Sequence, residues 1–386
     1  MTNKIRIAWI SSDWGQNEYR KANNKPGAIS QYRLVTPMNA LGDDYEVTYW
    51  GSDFNEQLNA APTPEEYMES FMQEYDVVVS KIIDNPKAAA MMRFFSERNG
   101  TKLIVDIDDN IWELTKDQPG YELYHKGSER LSIASTYVSL ADAVFCSTEP
   151  LAKYIENRIQ KVFKEDKTTF VLPNCLTPEE WKFEKPLLDE EKVVIGWQGS
   201  NTHHEDLRVA IPAIRQVLET YPNAYFEFLG GMTEKMAMDL FNGIEPKHME
   251  RLSIHGGCPA WDQFPELLSS KKWDMAIAPL TNQPFNHAKS HIKWMEYAMV
   301  GIPCVASAVY PYMEPIQGTA TVVDGDTGLL ASPDEWFEKL SLLIESKEER
   351  ERIGKNAKRY VSEKWNIAEH AHKWKDAIGK VLKKEE

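Results

Sequence analysis

Lys289, Ser290, His291 and Glu296 fall within one short stretch, Phe285-Asn-His-Ala-Lys-Ser-His-Ile-Lys-Trp-Met-Glu296. A helix-periodic segment runs from about Ser290 to Val300 and stops at Gly301, a residue suited to a C-terminal cap. The start of such a helix carries backbone N–H groups with no intrahelical acceptor and the positive end of the macrodipole. Lys289 and Ser290 add a cation and a hydroxyl, and together these make an anion site. Glu296 lies two turns further on, where its carboxylate can meet hydroxyls of a ligand whose phosphate sits at the helix start. Phosphate at one end and ribose at the other suits a sugar nucleotide. His287 and His291, four apart, imitate a helical metal pair, but the zincin pattern lacks its Glu, so His291 reads as a phosphate contact.

Three further stretches carry chemistry-bearing residues. Asp106-Ile-Asp-Asp109 follows an apolar run, and either Asp108 or Asp109 can orient or deprotonate a hydroxyl; capping of the next element is the competing reading. Gly199-Ser200-Asn201-Thr202-His203-His204 forms a small-residue loop after another apolar run. No Lys or Arg follows it until Arg208, so backbone N–H groups and His203 are the groups there suited to an anion; a satisfied surface or core histidine is the plain alternative. Tyr19–Arg33 contains Arg20, Lys21, Lys25 and Arg33, with no acid between Glu18 and Asp43. It predicts a cationic cleft edge for an anionic acceptor or a donor phosphate, with Gly27 allowing close backbone approach to a ligand; a solvated charged loop is the plain alternative. His370 and His372 read as solvent-facing.

These loops need elements to hold them. Short Val- and Ile-rich runs alternate with helix-periodic segments, the pattern of an α/β protein with parallel sheets. Strands are predicted at Ile5–Ile10, Glu46–Trp50, Asp76–Ser80, Lys102–Asp106, Ala143–Ser147 and Thr169–Leu172. After a Pro-punctuated linker over 173–188 the pattern restarts, with strands at Val193–Trp197, Tyr225–Leu229, Leu252–His255, Met275–Ala278, Pro303–Ala306 and Thr321–Val323. A helix is predicted over Glu205–Tyr221, with Pro212 kinking it or marking its first turns. The charged segment Glu348–Leu382 is helical with no strand beside it. Two α/β halves imply two domains facing a cleft, lined by the loops that follow the strands.

Composition narrows the field. A length of 386 residues suits two domains at roughly 100–200 residues each. The 12 Trp, 16 Tyr and 14 Phe argue against a disordered chain. A charge of -15 argues against a nucleic-acid coat, without excluding one basic face. Cys146, Cys175, Cys258 and Cys304 are widely spaced, which argues against a zinc module or disulfide framework and for a reducing cytoplasm. No apolar run reaches the ~18 residues of a membrane span. There is no Walker loop, nucleophile elbow or Gly-x-Gly-x-x-Gly after either opening strand, so ATP-driven, acyl-transfer and dinucleotide-redox chemistry lack support.

The segment ending Glu296-Tyr-Ala-Met-Val-Gly-Ile-Pro-Cys-Val-Ala-Ser307 resembles the donor signature of GT-B glycosyltransferases, in particular the retaining group 1 (family four) class. In that class two Glu stand eight positions apart before a Gly-x-Pro-x-Val-x-Ser strand. Glu296 matches the second; Ala288 stands where the first is usual, and Lys289-Ser290 replaces the glycine-containing turn. Val171-Leu-Pro-Asn-Cys-Leu176, Val194-Ile-Gly-Trp-Gln-Gly-Ser200 and Leu252-Ser-Ile-His-Gly-Gly-Cys-Pro-Ala-Trp261 resemble the family's other conserved turns in order.

The resemblance implies two Rossmann-like domains: an acceptor side at 1–184, a nucleotide-sugar side at 185–361, and a C-terminal helix at 362–386 returning to the first. It implies transfer from a nucleoside diphosphate sugar to a hydroxyl. Lys289, Ser290 and His291 would stabilise the leaving phosphate, Glu296 would bind the ribose, and Cys258 and Pro259 would pass the base. No metal or further cofactor is expected; a metal-bridging reading of Asp106-x-Asp108 conflicts with the two-domain layout. The acceptor is a glycan, a small molecule or protein, or a hydroxymethylated base in phage DNA. A nucleotide-sugar epimerase and a silent sugar-nucleotide binder are the other readings.

Overall fold

The computed structural model describes residues 4–383 apart from Asp84, Pro119, Lys185 and Pro259. Six parallel strands form the first sheet: β1 (Ile5–Ile10), β2 (Tyr45–Trp50), β3 (Val77–Ser80), β4 (Lys102–Ile107), β5 (Ala143–Cys146) and β6 (Thr169–Val171), in the order β2-β1-β3-β4-β5-β6. The second holds β7 (Val193–Gly199), β8 (Ala224–Gly230), β9 (Leu252–His255), β10 (Met275–Ala278), β11 (Cys304–Ser307) and β12 (Leu329–Ala331), in the order β12-β11-β10-β7-β8-β9. The chain is therefore α/β, with two Rossmann-like sheets. Strand order reverses between β1 and β3 and between β7 and β10, the places where doubly wound sheets open a ligand crevice. The central strands β3, β5, β10 and β11 are buried at every residue, as parallel sheets covered on both faces require.

Three elements differ from the sequence expectation. Thr321–Val323 is not a strand: Thr321 Oγ1 donates to Tyr312 O at 2.6 Å, and Val323 N donates to Thr327 Oγ1 at 2.9 Å. Its polar groups are thus satisfied by a turn, and the sixth strand is β12. The Glu205–Tyr221 segment breaks, with Pro212 in the first turn of a helix over Ile211–Thr220. That break frees Asp206, in the short His204–Leu207 turn, for a buried role described below. The charged C-terminal stretch is two helices, Lys347–Lys364 and Ile367–Leu382, parted at Asn366, whose side chain caps the second through Ala368 N at 3.0 Å.

The last helix returns to the first sheet. Trp374 is fully buried, its ring 6.1 Å from Trp9 and 5.6 Å from Phe145. Removing an indole from water contributes on the order of 2–3 kcal/mol, enough to hold a helix that has no strand of its own. No helix among the described residues is long and apolar enough to cross a membrane.

Candidate active site

The carboxyl ends of both sheets face one cavity of about 390 Å³. From the first half it is lined by Tyr32, Asp108, Asp109 and Asn174; from the second by Gly199, Ser200, Lys289, Lys293 and Glu296. A second arm of about 470 Å³ continues from it past Gly199 and Glu296 to Gly230, Cys258 and Trp261. At Gly199 an added Cβ would lie 2.7 Å from the Trp197 ring, so only glycine lets the loop lie against that indole.

The first wall holds a closed set of charges. Arg33 is fully buried; its Nη2 meets Asp106 Oδ2 at 2.6 Å, Nη1 meets Asn174 Oδ1 at 3.1 Å, and the guanidinium sits 5.1 Å from the centre of the Trp374 ring. Lys81 Nζ bridges Asp106 Oδ1 at 2.7 Å and Asp108 Oδ1 at 2.9 Å. Burial by itself would raise the Asp108 carboxyl, but the Lys81 ammonium outweighs it and holds Asp108 below the usual carboxylate range.

On the second wall Glu296 lies in the helix Ile292–Met299. It is buried, accepts from Tyr32 Oη across the cleft, and accepts from Gln198 Nε2 at 2.5 Å. Burial pushes its carboxyl up to about 7. Asp206 is an internal anchor: it accepts from Thr281 N at 3.0 Å and Asn286 Nδ2 at 2.6 Å, and contacts His203 Nδ1 at 2.9 Å. Burial, and then the nearby Lys293 charge, push His203 down to about 3. The imidazole is therefore neutral at neutral pH. With Asp206 ionised, Nδ1 carries the proton and Nε2 keeps a lone pair.

The walls are tied together. Lys289 Nζ meets Asp109 Oδ1 at 3.0 Å, Asn174 Nδ2 donates to Ser290 Oγ at 2.9 Å, and Thr148 Oγ1 donates to Ala288 O at 2.8 Å. Such a site pairs a hydroxyl-binding carboxylate with cations beside the first turn of a helix, and places two further carboxylates opposite. Residues 178–360 match the family described as Glycosyl transferases group 1. That region carries a glycosyltransferase family match, within a chain of the GT-B fold.

Solved structures share its fold over nearly the full length. HepE from Anabaena, solved in complex with UDP and glucose, gives a TM-score of 0.65 at 15% identity, covering 97% of this chain and 100% of its own. Sucrose-phosphate synthase from Thermosynechococcus elongatus gives 0.62 at 13%, covering 98% and 99%. A glycosyltransferase from Rickettsia africae gives 0.63 at 10%, covering 99% and 100%. No curated protein matches in sequence.

The protein gathers Asp108, Asp109, Gly199, Ser200, His203, Lys289, Ser290, Glu296 and Arg33 around the cavity, and Arg20 and Cys258 around its second arm. Several take parts other than those expected. The helix begins at Ile292 rather than Ser290, so His291 is its N-cap and its ring turns inward. It is fully buried, 4.1 Å from the Trp365 ring, with no hydrogen-bond partner for either nitrogen among the described residues, and burial pushes it down to about 3. It does not line the cavity and cannot offer a charge to phosphate. His370, read as solvent-facing, is buried against Trp365 as well, while His372 is exposed as expected.

The cationic edge is spent internally. Lys21 pairs with Glu56 at 2.7 Å on the open surface, Lys25 with Asp262 at 2.9 Å, and Arg33 with Asp106. Gly27 makes its close approach to the Asp13 carboxylate and Arg20 rather than to the cavity; Asp13 in turn accepts from Ile29 N at 3.0 Å and Ser30 N at 3.1 Å, capping that turn. Pro259 lies outside the described residues. Tyr32, Gln198, Asn174 and Lys293 were not singled out in the sequence. Lys293 could have been: Lys289, Lys293 and Glu296 stand at i, i+4 and i+7, one helical face.

Proposed function

We propose that the cleft transfers a sugar, with retention, from a nucleoside diphosphate sugar to the hydroxyl of a glycan or small molecule in the cytoplasm. The observation that carries this is the joint lining of one cavity by Glu296, Lys289 and Asp109, drawn from both halves. The diphosphate lies against the Gly199–Ser200 loop, Ser290 and the first turn of the Ile292–Met299 helix, whose amides and dipole stabilise charge that develops on the leaving phosphate. Glu296 takes the ribose hydroxyls, displacing Tyr32 or sharing with it. The base enters the arm lined by Leu229, Gly230 and Cys258. Asp109, nearly half exposed and aimed across at Lys289, faces the acceptor and takes the proton of its hydroxyl, with Asp108 beside it. Retention rests on the group 1 match, and the cytoplasmic setting on four free cysteines, three of them buried. With Lys21, Lys25 and Arg33 each matched by a carboxylate, a DNA acceptor draws no support from this edge.

Thermal shift against UDP-, GDP-, ADP- and TDP-hexoses should reveal one donor that raises the melting temperature, since a ligand of the native state stabilises it by mass action. Glu296→Ala should remove that shift and the release of nucleoside diphosphate. A melting temperature unmoved by every donor would defeat the reading. Isomerised donor appearing without acceptor would make the chain an epimerase instead.

A further inference from the structure

Four cationic or titratable side chains crowd the donor side of the cavity, and among the described residues only one of them has neither a hydrogen bond nor an ion pair. Lys289 is held by Asp109, and His203 is held by Asp206 and is neutral. Glu296 is bonded by Tyr32 and Gln198. Lys293 is mostly buried and lines the cavity, yet among the described residues it has neither a hydrogen bond nor an ion pair.

Its position adds two further costs. Lys293 is the second residue of the Ile292–Met299 helix, where the macrodipole already disfavours a cation. Burial weighs most against its charge; Glu296, three residues on, attracts it without an ion pair, while Lys289 stands near as a like charge. Its stem is fixed against the phosphate-facing loop: a Cβ on Gly199 would lie 3.4 Å from Lys293 Cε. A buried ammonium without a partner is expensive and is kept where a ligand supplies the charge. An anion placed between the Gly199–Ser200 loop and the helix start removes all three costs together.

We infer that Lys293, more than Lys289, is the cation that the donor's diphosphate neutralises, and that Lys289 serves mainly as the tie from Asp109 to the second wall. This rests on the donor reading above. The missing counter-charge is that of a second phosphate group. Lys293 therefore selects nucleoside diphosphates over monophosphates, whereas the base arm and Glu296 contribute to both.

The test uses the full chain and isothermal titration with UDP, GDP and ADP, each beside its monophosphate. For whichever pair binds the wild type, Lys293→Met should weaken the diphosphate roughly ten- to a hundredfold, the range for a charge-assisted contact. The monophosphate should change little, so the ratio between them collapses. Lys293→Arg should keep most of the ratio, and Lys289→Met should cost less than Lys293→Met. Without ligand, Lys293→Met should melt at or above the wild-type temperature, because an uncompensated charge has gone; a structural lysine would give the opposite shift. An unchanged diphosphate preference in Lys293→Met, or a larger loss in Lys289→Met, overturns the inference while the donor reading stands. A wild type that binds none of the six nucleotides overturns both.

Discussion

The two walls of the cleft use the same kinds of residue to opposite ends. On the first, Arg33, Lys81, Asp106 and Asp108 form a chain in which each charge meets an opposite one within 2.9 Å. On the second, Lys293 meets none among the described residues, and Glu296 shares its oxygens with neutral donors, Tyr32 and Gln198. The first wall is complete by itself and fixes the shape of the cleft. On the proposal above, a ligand completes the second, bringing negative charge to Lys293 and hydroxyls to Glu296. Compensation, rather than the presence of charge, separates scaffold from site.

The largest expected effect comes from breaking the compensated wall. Arg33→Met leaves Asp106 and Asp108 sharing a single buried cation, and removing one partner of a buried pair costs about 3–5 kcal/mol. Chemical denaturation should show that loss, in contrast with the neutral or favourable change at Lys293. Stability in Arg33→Met equal to wild type would erase the distinction between the walls.

Next in size is the response to pH, in which burial acts on bases and acids with opposite sign. His203 and His291, pushed down to about 3 from an ordinary 6.5, refuse protons that the unfolded chain accepts. Stability is therefore lost steadily as pH falls below 6.5 toward 3. Glu296 and Glu180 are pushed up to about 7 from 4.5, chiefly by burial. Their contribution is full below 4.5 and is lost as pH rises through 7. Urea midpoints across pH 3–8 should thus show the two effects opposing one another between about 4.5 and 6.5. Glu180→Gln should flatten the decline toward pH 7, and His291→Phe should reduce the acid loss. A Glu180→Gln profile that falls as steeply as wild type would show that this carboxyl titrates normally.

The smallest effect belongs to the outer edge. Lys21 and Glu56 are both more than half exposed, and pairs of this kind contribute little. Lys21→Ala should leave the unfolding midpoint and nucleotide affinity unchanged. A clear loss of nucleotide affinity would return the Tyr19–Arg33 segment to the site.

Much of the site was legible because its parts are local. The Gly199–Ser200 loop, Asp108–Asp109 and the Lys289–Glu296 stretch each follow an apolar run closely, and parallel sheets put such loops at one end. The errors arise where a side chain's direction depends on distant packing. His291 is one residue outside the helix instead of inside it, and Trp365, distant in sequence, supplies the pocket that takes its ring. Arg33 looked like part of a cationic loop until β4 brought Asp106 against it. Thr321–Val323 has the composition of a strand, yet Tyr312 and Thr327 satisfy it locally.

By itself the sequence determined the two-sheet plan, through apolar runs whose burial does not depend on which partner covers them, and the helix that carries Glu296, through a periodicity contained within ten residues or so. It could not determine which charges are balanced. Coulomb energy falls with distance in space, not along the chain, and Tyr32 lies 264 positions from the Glu296 it bonds. Only the tertiary structure decided that Arg33 is matched, that His291 is turned inward, and that Lys293 is left waiting for an anion.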